Sequence, residues 1–400
     1  MRYVVAFNRD RDFYQVPLAL AEVDELAGLV TDLYVPDVLG GWSFLQKGRI
    51  AHRRVDGLPS RLVEWSIPAL WNQLVGLRLA KDEEARVRVF KSLDKALSRQ
   101  ALRLARRKDA GFLLYSGYAL EAFREADANC QKLLFVFHPH GGLSGEILEA
   151  DFEQHPEMEW SHELHMREIA LSDSARLDEE LRMADGLICA SGFTRKSVQR
   201  VVGAETPVHV VPYGCFPAST DGTGHEARNP APQILFVGQG MQRKGIHHLL
   251  KVWNSRPTWG AELTLVLNRV DPAVERMLAG ASAVRVLSGL SRADLQAEFE
   301  RADVFVMPSL VEGFGLVYLE ALSAGCHVIG TPNTGLPDLE APPEVATVVP
   351  TGDMAALERE LEEAISRARR GELDRAGIRR FANTRTWAAF REGIRNSIRS

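Results

Sequence analysis

Glu312 and Glu320 bracket the run Glu-Gly-Phe-Gly-Leu-Val-Tyr-Leu-Glu, and an Arg243-Lys244 pair stands upstream of it. If most of the run is helical, the eight-residue spacing puts the two carboxylates roughly 12 Å apart, at about 1.5 Å per residue. That span is long for one metal ion. It also exceeds the separation of about 5 to 5.5 Å that a retaining glycosidase needs between its two carboxyls. It suits an elongated ligand with hydroxyls at either end and a diphosphate between them, which is the layout of a nucleotide-sugar.

The elements around the run must place these groups. Val304 to Met307 is short, apolar and β-branched enough for a buried parallel strand, which Pro308-Ser309 ends. Val317, Leu319, Ala321, Leu322 and Ala324 suit a buried helix that Gly325 stops before a strand at His327 to Gly330. In a strand, loop, helix, strand unit the helix start faces the carboxyl edge of the sheet, where its free N–H groups and dipole favour a phosphate. Gly313 and Gly315 let a ligand approach the backbone closely.

Further strands are predicted at residues 3 to 7, 112 to 115, 133 to 137, 187 to 190 and 208 to 211, with helical patterns between most of them. The stretch Phe216 to Gln233 is rich in Pro, Gly, Ser, Thr and Asn and reads as a linker. A second alternating half follows, with strands at 234 to 237, 262 to 267, 284 to 287, 304 to 307 and 327 to 330. The expected organisation is α/β, with two Rossmann-like domains facing each other across a cleft. The first spans 1–217, the linker 218–232 and the second 233–383. A C-terminal helix over 384–400 is expected to pack back on the first domain.

The totals agree with this layout. The 400 residues, 46% of them apolar, allow two or three domains with sizeable cores. A net charge of -5 gives no general attraction to nucleic acid. Cys130, Cys189, Cys215 and Cys326 lie far apart and suggest neither a disulfide framework nor a zinc ribbon, so a reducing cytoplasm is expected. The apolar start Tyr3 to Phe7 is too short for a signal-peptide core, and no run approaches the roughly 18 apolar residues of a membrane span.

The sequence resembles glycosyltransferase family 4, the retaining nucleotide-sugar transferases of the GT-B fold. The resemblance is carried by Pro308-Ser309-Leu310-Val311-Glu312-Gly313-Phe314-Gly315-Leu316 with Glu320-Ala321-Leu322, and by Phe236-Val237-Gly238 followed by Arg243-Lys244-Gly245. Ser288-Gly289-Leu290 and, more thinly, the first half add to it. It implies that Glu312 contacts the donor sugar, the amides of Gly313 to Leu316 the diphosphate, Lys244 the diphosphate and Glu320 the ribose. Gly238 and Arg243 would line the diphosphate site, and Gly289-Leu290 would give backbone contacts to a base, uridine or guanosine. His138, or its neighbour His140, would lie near the reacting sugar, making His138, Lys244 and Glu312 the expected catalytic group.

The implied reaction is transfer of a sugar from a nucleotide diphosphate to an acceptor hydroxyl with retention, in glycan, polysaccharide or glycoconjugate assembly. It needs a UDP- or GDP-sugar as co-substrate and no metal or cofactor. A nucleotide-sugar epimerase and a non-catalytic donor-binding subunit stay open. The sequence departs from the family at Asn8 to Tyr14, where a glycine-rich loop is usual and no glycine is present, at the neutral Gln239, and at Asp338, where a longer acid is common.

Two other features bear on partners. Arg86 to Lys108 holds nine Lys or Arg residues against one acid, Asp94, with an apolar stripe of Phe90, Leu93, Leu97 and Leu104. It suggests either a core-facing helix with a solvated basic face or a peripheral contact with an anionic lipid-linked acceptor at the inner membrane face. His162, Glu163, His165 and Glu168 share a helix but not the H-E-x-x-H spacing, and they read as a solvated face.

Overall fold

The computed structural model describes residues 1–36, 52–172, 174–216, 231–256 and 258–399. The expected linker, 218–232, therefore lies almost wholly outside the described residues. The first half runs β1 (Tyr3–Ala6), α1 (Gln15–Ala21), β2 (Leu26–Thr31), β3 (Val63–Trp65), α2 (Ile67–Leu79), α3 (Glu83–Lys108), β4 (Gly111–Tyr115), α4 (Leu120–Glu125), β5 (Lys132–Val136), α5 (Gly141–Gln154), α6 (Glu159–Leu171), α7 (Ser174–Met183), β6 (Gly186–Cys189), α8 (Gly192–Val198) and β7 (Val208–Val210). The second runs β8 (Gln233–Gly240), α9 (Ile246–Asn254), β9 (Glu262–Val270), α10 (Pro272–Ala279), β10 (Val284–Leu287), α11 (Arg292–Arg301), β11 (Val304–Val306), α12 (Leu316–Ala324), β12 (His327–Gly330), β13 (Ala346–Val348), α13 (Met354–Arg370), α14 (Arg375–Ala382) and α15 (Trp387–Ser397).

The strands form two sheets of parallel pairs, ordered β3-β2-β1-β4-β5-β6-β7 and β10-β9-β8-β11-β12-β13. Their central strands are continuous buried apolar runs, such as Leu113 and Leu114 in β4 and Leu235 and Phe236 in β8, because helices cover both faces. Each order reverses once, between β1 and β4 and between β8 and β11. Loops leaving those pairs diverge above the carboxyl edge and open a crevice there. The two crevices face each other, since the carbonyl of Phe137, just past β5, packs against Gly313, just past β11.

Three strands lie beyond the predicted set. β2 carries Gly28 in its middle, which weakens the strand pattern, while β3 and β13 are three-residue edge strands that gain stability only from a neighbour. The C-terminal helix crosses back to the first half. Arg391 donates to Gln15 at 2.6 Å, and Arg395 and Arg399 pair with Glu22 and Glu25 at 2.6 and 3.0 Å. Close to this crossing, a Cβ on Gly214 would stand 2.3 Å from the backbone of Thr386, so the two segments touch main chain to main chain. Among the described residues no helix is long and apolar enough to cross a membrane.

The helix α3 settles the orientation of its apolar stripe. Leu93, Leu97 and Leu104 are buried, packed with α3 against β1 and β2, while Arg99, Arg103, Arg106 and Arg107 face water. A membrane contact through that stripe is thus unavailable, because the sheet already covers it.

Candidate functional site

At the second reversal, the loop after β8 folds into a turn, Gln242–Lys244, that ends on Gly245 with φ of +65°. A Cβ on Gly245 would lie 1.9 Å from the Pro308 carbonyl, so only glycine lets the two loops meet. Leu310 N–H then donates to the Arg243 carbonyl at 2.9 Å, knitting the loop after β8 to the loop after β11.

This brings Lys244 and Glu312 into a direct ion pair, with an Arg243 guanidinium nitrogen 3.7 Å from the same carboxylate oxygen. The Glu312 N–H donates to the Asn333 carbonyl at 3.0 Å, which anchors the residue's backbone. Burial pushes the Glu312 carboxyl up, but the Lys244 and Arg243 charges outweigh it and bring the pKa down to about 2. Lys244 shifts downward through burial, against the pull of Glu312.

The helix α12 starts at Gly315, φ +88°, with no side chain capping it, so its first turn and dipole face the crevice beside Lys244. Gly313 is held from across the cleft. Its carbonyl accepts from the hydroxyls of Ser191 and Thr194, the latter at 3.2 Å, and a Cβ on it would meet the Phe137 carbonyl at 2.3 Å. Asp338 also bridges the halves by accepting from Gly192 N–H at 2.9 Å at the start of α8. Phe314 is buried against Tyr213, ring centroids 5.3 Å apart, so it presents only backbone to a ligand.

The remaining expected donor residues lie further along the same edge. Gly238 ends the apolar part of β8, where a Cβ would meet the Phe236 ring and the Lys244 side chain. Gly289 has φ of +65° and no atom within 4 Å of a would-be Cβ, leaving open space beside Leu290. Glu320 is exposed on α12, within reach of the charge of Arg292 at the start of α11. Of these, Gly238 adjoins the Lys244 side chain, beside its pair with Glu312.

Opposite, His138 follows β5 with its ring open to the cleft. The protein crowded around it and the Arg11 charge push its pKa down to about 4, so the imidazole is neutral at pH 7. His140 is engaged elsewhere: its Nδ1 accepts from Gly142 N–H at 3.1 Å and caps α5, and its Nε2 lies 2.8 Å from Asp178. Arg11 was not among the expected site residues. Its guanidinium lies over the Phe137 ring, 4.2 Å from the centroid, at the first sheet reversal.

The glycine-free loop achieves this placement with left-handed backbone at Arg9, Asp12, Phe13 and Tyr14. Each such residue costs about 1–2 kcal/mol. The strain is offset by burial of Tyr14, by Tyr118 OH donating to Asn8 at 2.6 Å and by Arg9 N–H donating to Asp32 at 2.8 Å. The loop thus sets a cation, Arg11, at the first sheet reversal. The sequence offers two arginines in this first strand-to-helix loop, Arg9 and Arg11, and does not by itself say which one faces the cleft.

Between the halves lies a cavity of about 670 Å³, lined among others by Asp94, His138, His165, Gln239 and Arg243. Burial raises the Asp94 carboxyl to about 7 against the pull of Arg176 and Arg11. The expectation of a solvated face on α6 is wrong for its histidines. His162 and His165 are buried, His162 stacking on Phe152 at 4.1 Å and lying 3.2 Å from Gln242, and His165 facing the cavity. They turn inward because the second domain covers α6, which helical periodicity within one segment does not reveal.

Residues 231–367 match the family Glycosyl transferases group 1. Among curated proteins, the MMP alpha-(1->4)-mannosyltransferase of Mycolicibacterium hassiacum is 31% identical over 177 residues, 42% of this chain and 42% of its own. The alpha-maltose-1-phosphate synthase of Mycolicibacterium smegmatis is 28% identical over 244 residues, 52% of this chain and 61% of its own. The matches thus span less than two thirds of either relative. The sucrose-phosphate synthase structure from Thermosynechococcus elongatus superimposes over 100% of this chain and 98% of that one, with a TM-score of 0.61 and 19% identity, which establishes a shared GT-B fold.

Proposed function

From the match of residues 231–367 to the glycosyl transferases group 1 family, we propose that this protein is a retaining glycosyltransferase that moves a sugar from a UDP- or GDP-sugar to an acceptor hydroxyl. The observation that carries the reading is the Lys244–Glu312 pair with Arg243, set at the start of α12 where the second sheet reverses and faced by His138 and Arg11. Negative charge builds on the leaving diphosphate, and Lys244, Arg243 and the α12 start are positioned to stabilise it. In the unliganded pair Lys244 and Glu312 neutralise each other. A donor would separate them, Lys244 turning to phosphate and Glu312 to a sugar hydroxyl.

On this reading His138, neutral at pH 7, accepts or donates one hydrogen bond at the reacting sugar and does not carry charge. Glu312, held ionised by two cations, positions the sugar. The acceptor proton passes to the leaving phosphate oxygen on the same face, as the anomeric bond to that oxygen breaks and the bond to the acceptor forms. Glu320 and the open backbone at Gly289 and Leu290 would take the ribose and base. No metal or cofactor has a part in this scheme.

The test is incubation of the protein with single nucleotide-sugars and no acceptor, followed by analysis of the released sugar. Slow release with retention supports the transferase. An epimerised sugar would move the reading to an epimerase, and binding without turnover to a donor-binding subunit. Thermal shift identifies the donor, since a ligand at 100 times its Kd adds about 2.7 kcal/mol.

A lipid-linked or membrane-surface acceptor finds support in a different element from α3 itself. Helix α2 exposes Trp71, Leu74 and Leu79 at 66%, 55% and 72% and packs against the arginine-rich α3, Gly76 lying against Val89. Apolar side chains flanked by arginines suit an anionic bilayer surface. Flotation with anionic liposomes should carry the protein at low salt, and Trp71→Ser with Leu74→Ser should abolish it; an equal result for both proteins removes the idea.

A further inference from the structure

Away from the cleft residues assigned above, Asp151, His155, His247 and His248 form a buried cluster whose ligand-type atoms all lie within 4.8 Å of one another. Two of them come from α5 and its C-terminal cap, two from the first turn of α9, so the cluster joins the halves of the molecule. We propose that it is a binding site for one divalent transition-metal ion, zinc by its ligand chemistry, that staples the two domains together.

Hydrogen bonding alone does not account for the arrangement. His247 Nε2 lies 3.1 Å from an Asp151 oxygen, and His248 Nε2 lies 2.8 Å from the other. Yet His248 Nε2, on a residue only 2% exposed, lacks the alignment of a hydrogen bond and, among the described residues, has no other partner. Atoms that approach closely without pointing at each other are what two ligands of one ion look like. With bonds of about 2.0–2.2 Å, tetrahedral ligands stand roughly 3.3 Å apart. Three imidazoles and one carboxylate suit zinc and its first-row neighbours and disfavour calcium and magnesium, which take oxygen ligands.

The surroundings supply the outer support that such sites require. Gln242 Nε2 donates to Asp151 at 2.9 Å, fixing the carboxylate, and Gln242 is the residue directly before Arg243-Lys244. His155 Nδ1 accepts from the Lys251 ammonium at 2.6 Å, which places the neutral ring's proton on Nε2, so a metal bond at Nε2 must displace that proton. On metal binding that proton would pass to Nδ1, and Lys251, already 2.6 Å from Glu157, would release Nδ1 and keep its pairing with that carboxylate.

Untagged full-length protein, stripped with a chelator and gel-filtered, should retain one zinc per chain when the ion is returned. Cobalt in its place should give the intense visible absorption of a tetrahedral site. Zinc should raise Tm by roughly 4 °C at 100 times its Kd, while magnesium and calcium leave it unchanged. Asp151→Asn and His248→Gln should each weaken retention about 10-fold or more. Failure of the unmodified protein to retain zinc, a weak octahedral cobalt spectrum, or retention by both variants equal to that of the unmodified protein would each overturn the proposal. The cobalt spectrum of the unmodified protein decides the matter even if the variants do not fold.

Discussion

Replacing Lys244 with Met tests the centre of the site through stability, independently of any substrate. The Glu312 carboxyl is lowered from 4.5 to about 2 in the folded protein, and its side chain is only 12% exposed. At 1.36 kcal/mol per unit, ionised Glu312 contributes on the order of 3 kcal/mol above pH 4.5, and the contribution is lost as pH falls from 4.5 through about 2. Lys244 touches the carboxylate while Arg243 stands 3.7 Å away, so Lys244 supplies most of the effect. Lys244→Met should therefore destabilise the unliganded protein by about 2–3 kcal/mol at pH 7, because a buried carboxylate loses its partner. Glu312→Gln should recover part of that loss when combined with it. Urea unfolding of the protein, both single variants and the double variant at pH 7 gives the coupling energy directly. A coupling below about 0.5 kcal/mol would show that the two side chains do not hold each other and would remove the proposed exchange of partners on donor binding. In turnover, Lys244→Met should cost about 10²–10³-fold, the usual loss for one group that stabilises developing charge.

Asp94 gives the opposite pH signature. Its carboxyl is raised from 3.8 to about 7, so the fold loses stability as pH rises between those values, and Asp94→Asn should melt higher than the unmodified protein at pH 8 and alike at pH 4. Parallel Tm profiles across that range would contradict the burial of its charge. Gly313→Ala should cost about 1–3 kcal/mol and lower turnover, because its Cβ must displace the Phe137 carbonyl 2.3 Å away. Gly203→Ala, with no atom within 4 Å of its Cβ, is the matched control and should leave the melting temperature in place. Glu320→Ala sits at an exposed position and should leave the fold intact while reducing the thermal shift from ribose-bearing donors. If every donor's shift survives that change, the ribose assignment fails.

The run from Glu312 to Glu320 was legible in the sequence because its information is local: an apolar strand, two glycines at a turn and an apolar helix follow one another within about twenty residues. The same holds for the C-terminal helix, since the expected span 384–400 contains α15. β2 and β3 were not legible, since a strand with a central glycine and a three-residue edge strand are stabilised by their neighbours. The inward face of α6 was hidden for a related reason, as the surface that buries His162 and His165 arrives with the second domain.

By itself, then, the order of residues determined the alternating α/β pattern, the two halves and the types of side chain at the candidate site, all of which depend on spacings shorter than one strand-helix unit. The tertiary structure alone decided what those side chains face. It brought Lys244 onto Glu312 and set Arg11 beside His138 on a strained loop that contains no glycine. It also gathered Asp151 and His155 with His247 and His248 from opposite sides of the domain interface. Contacts between residues dozens to more than a hundred positions apart leave no period in the chain, because they are fixed by how two sheets reverse and face each other.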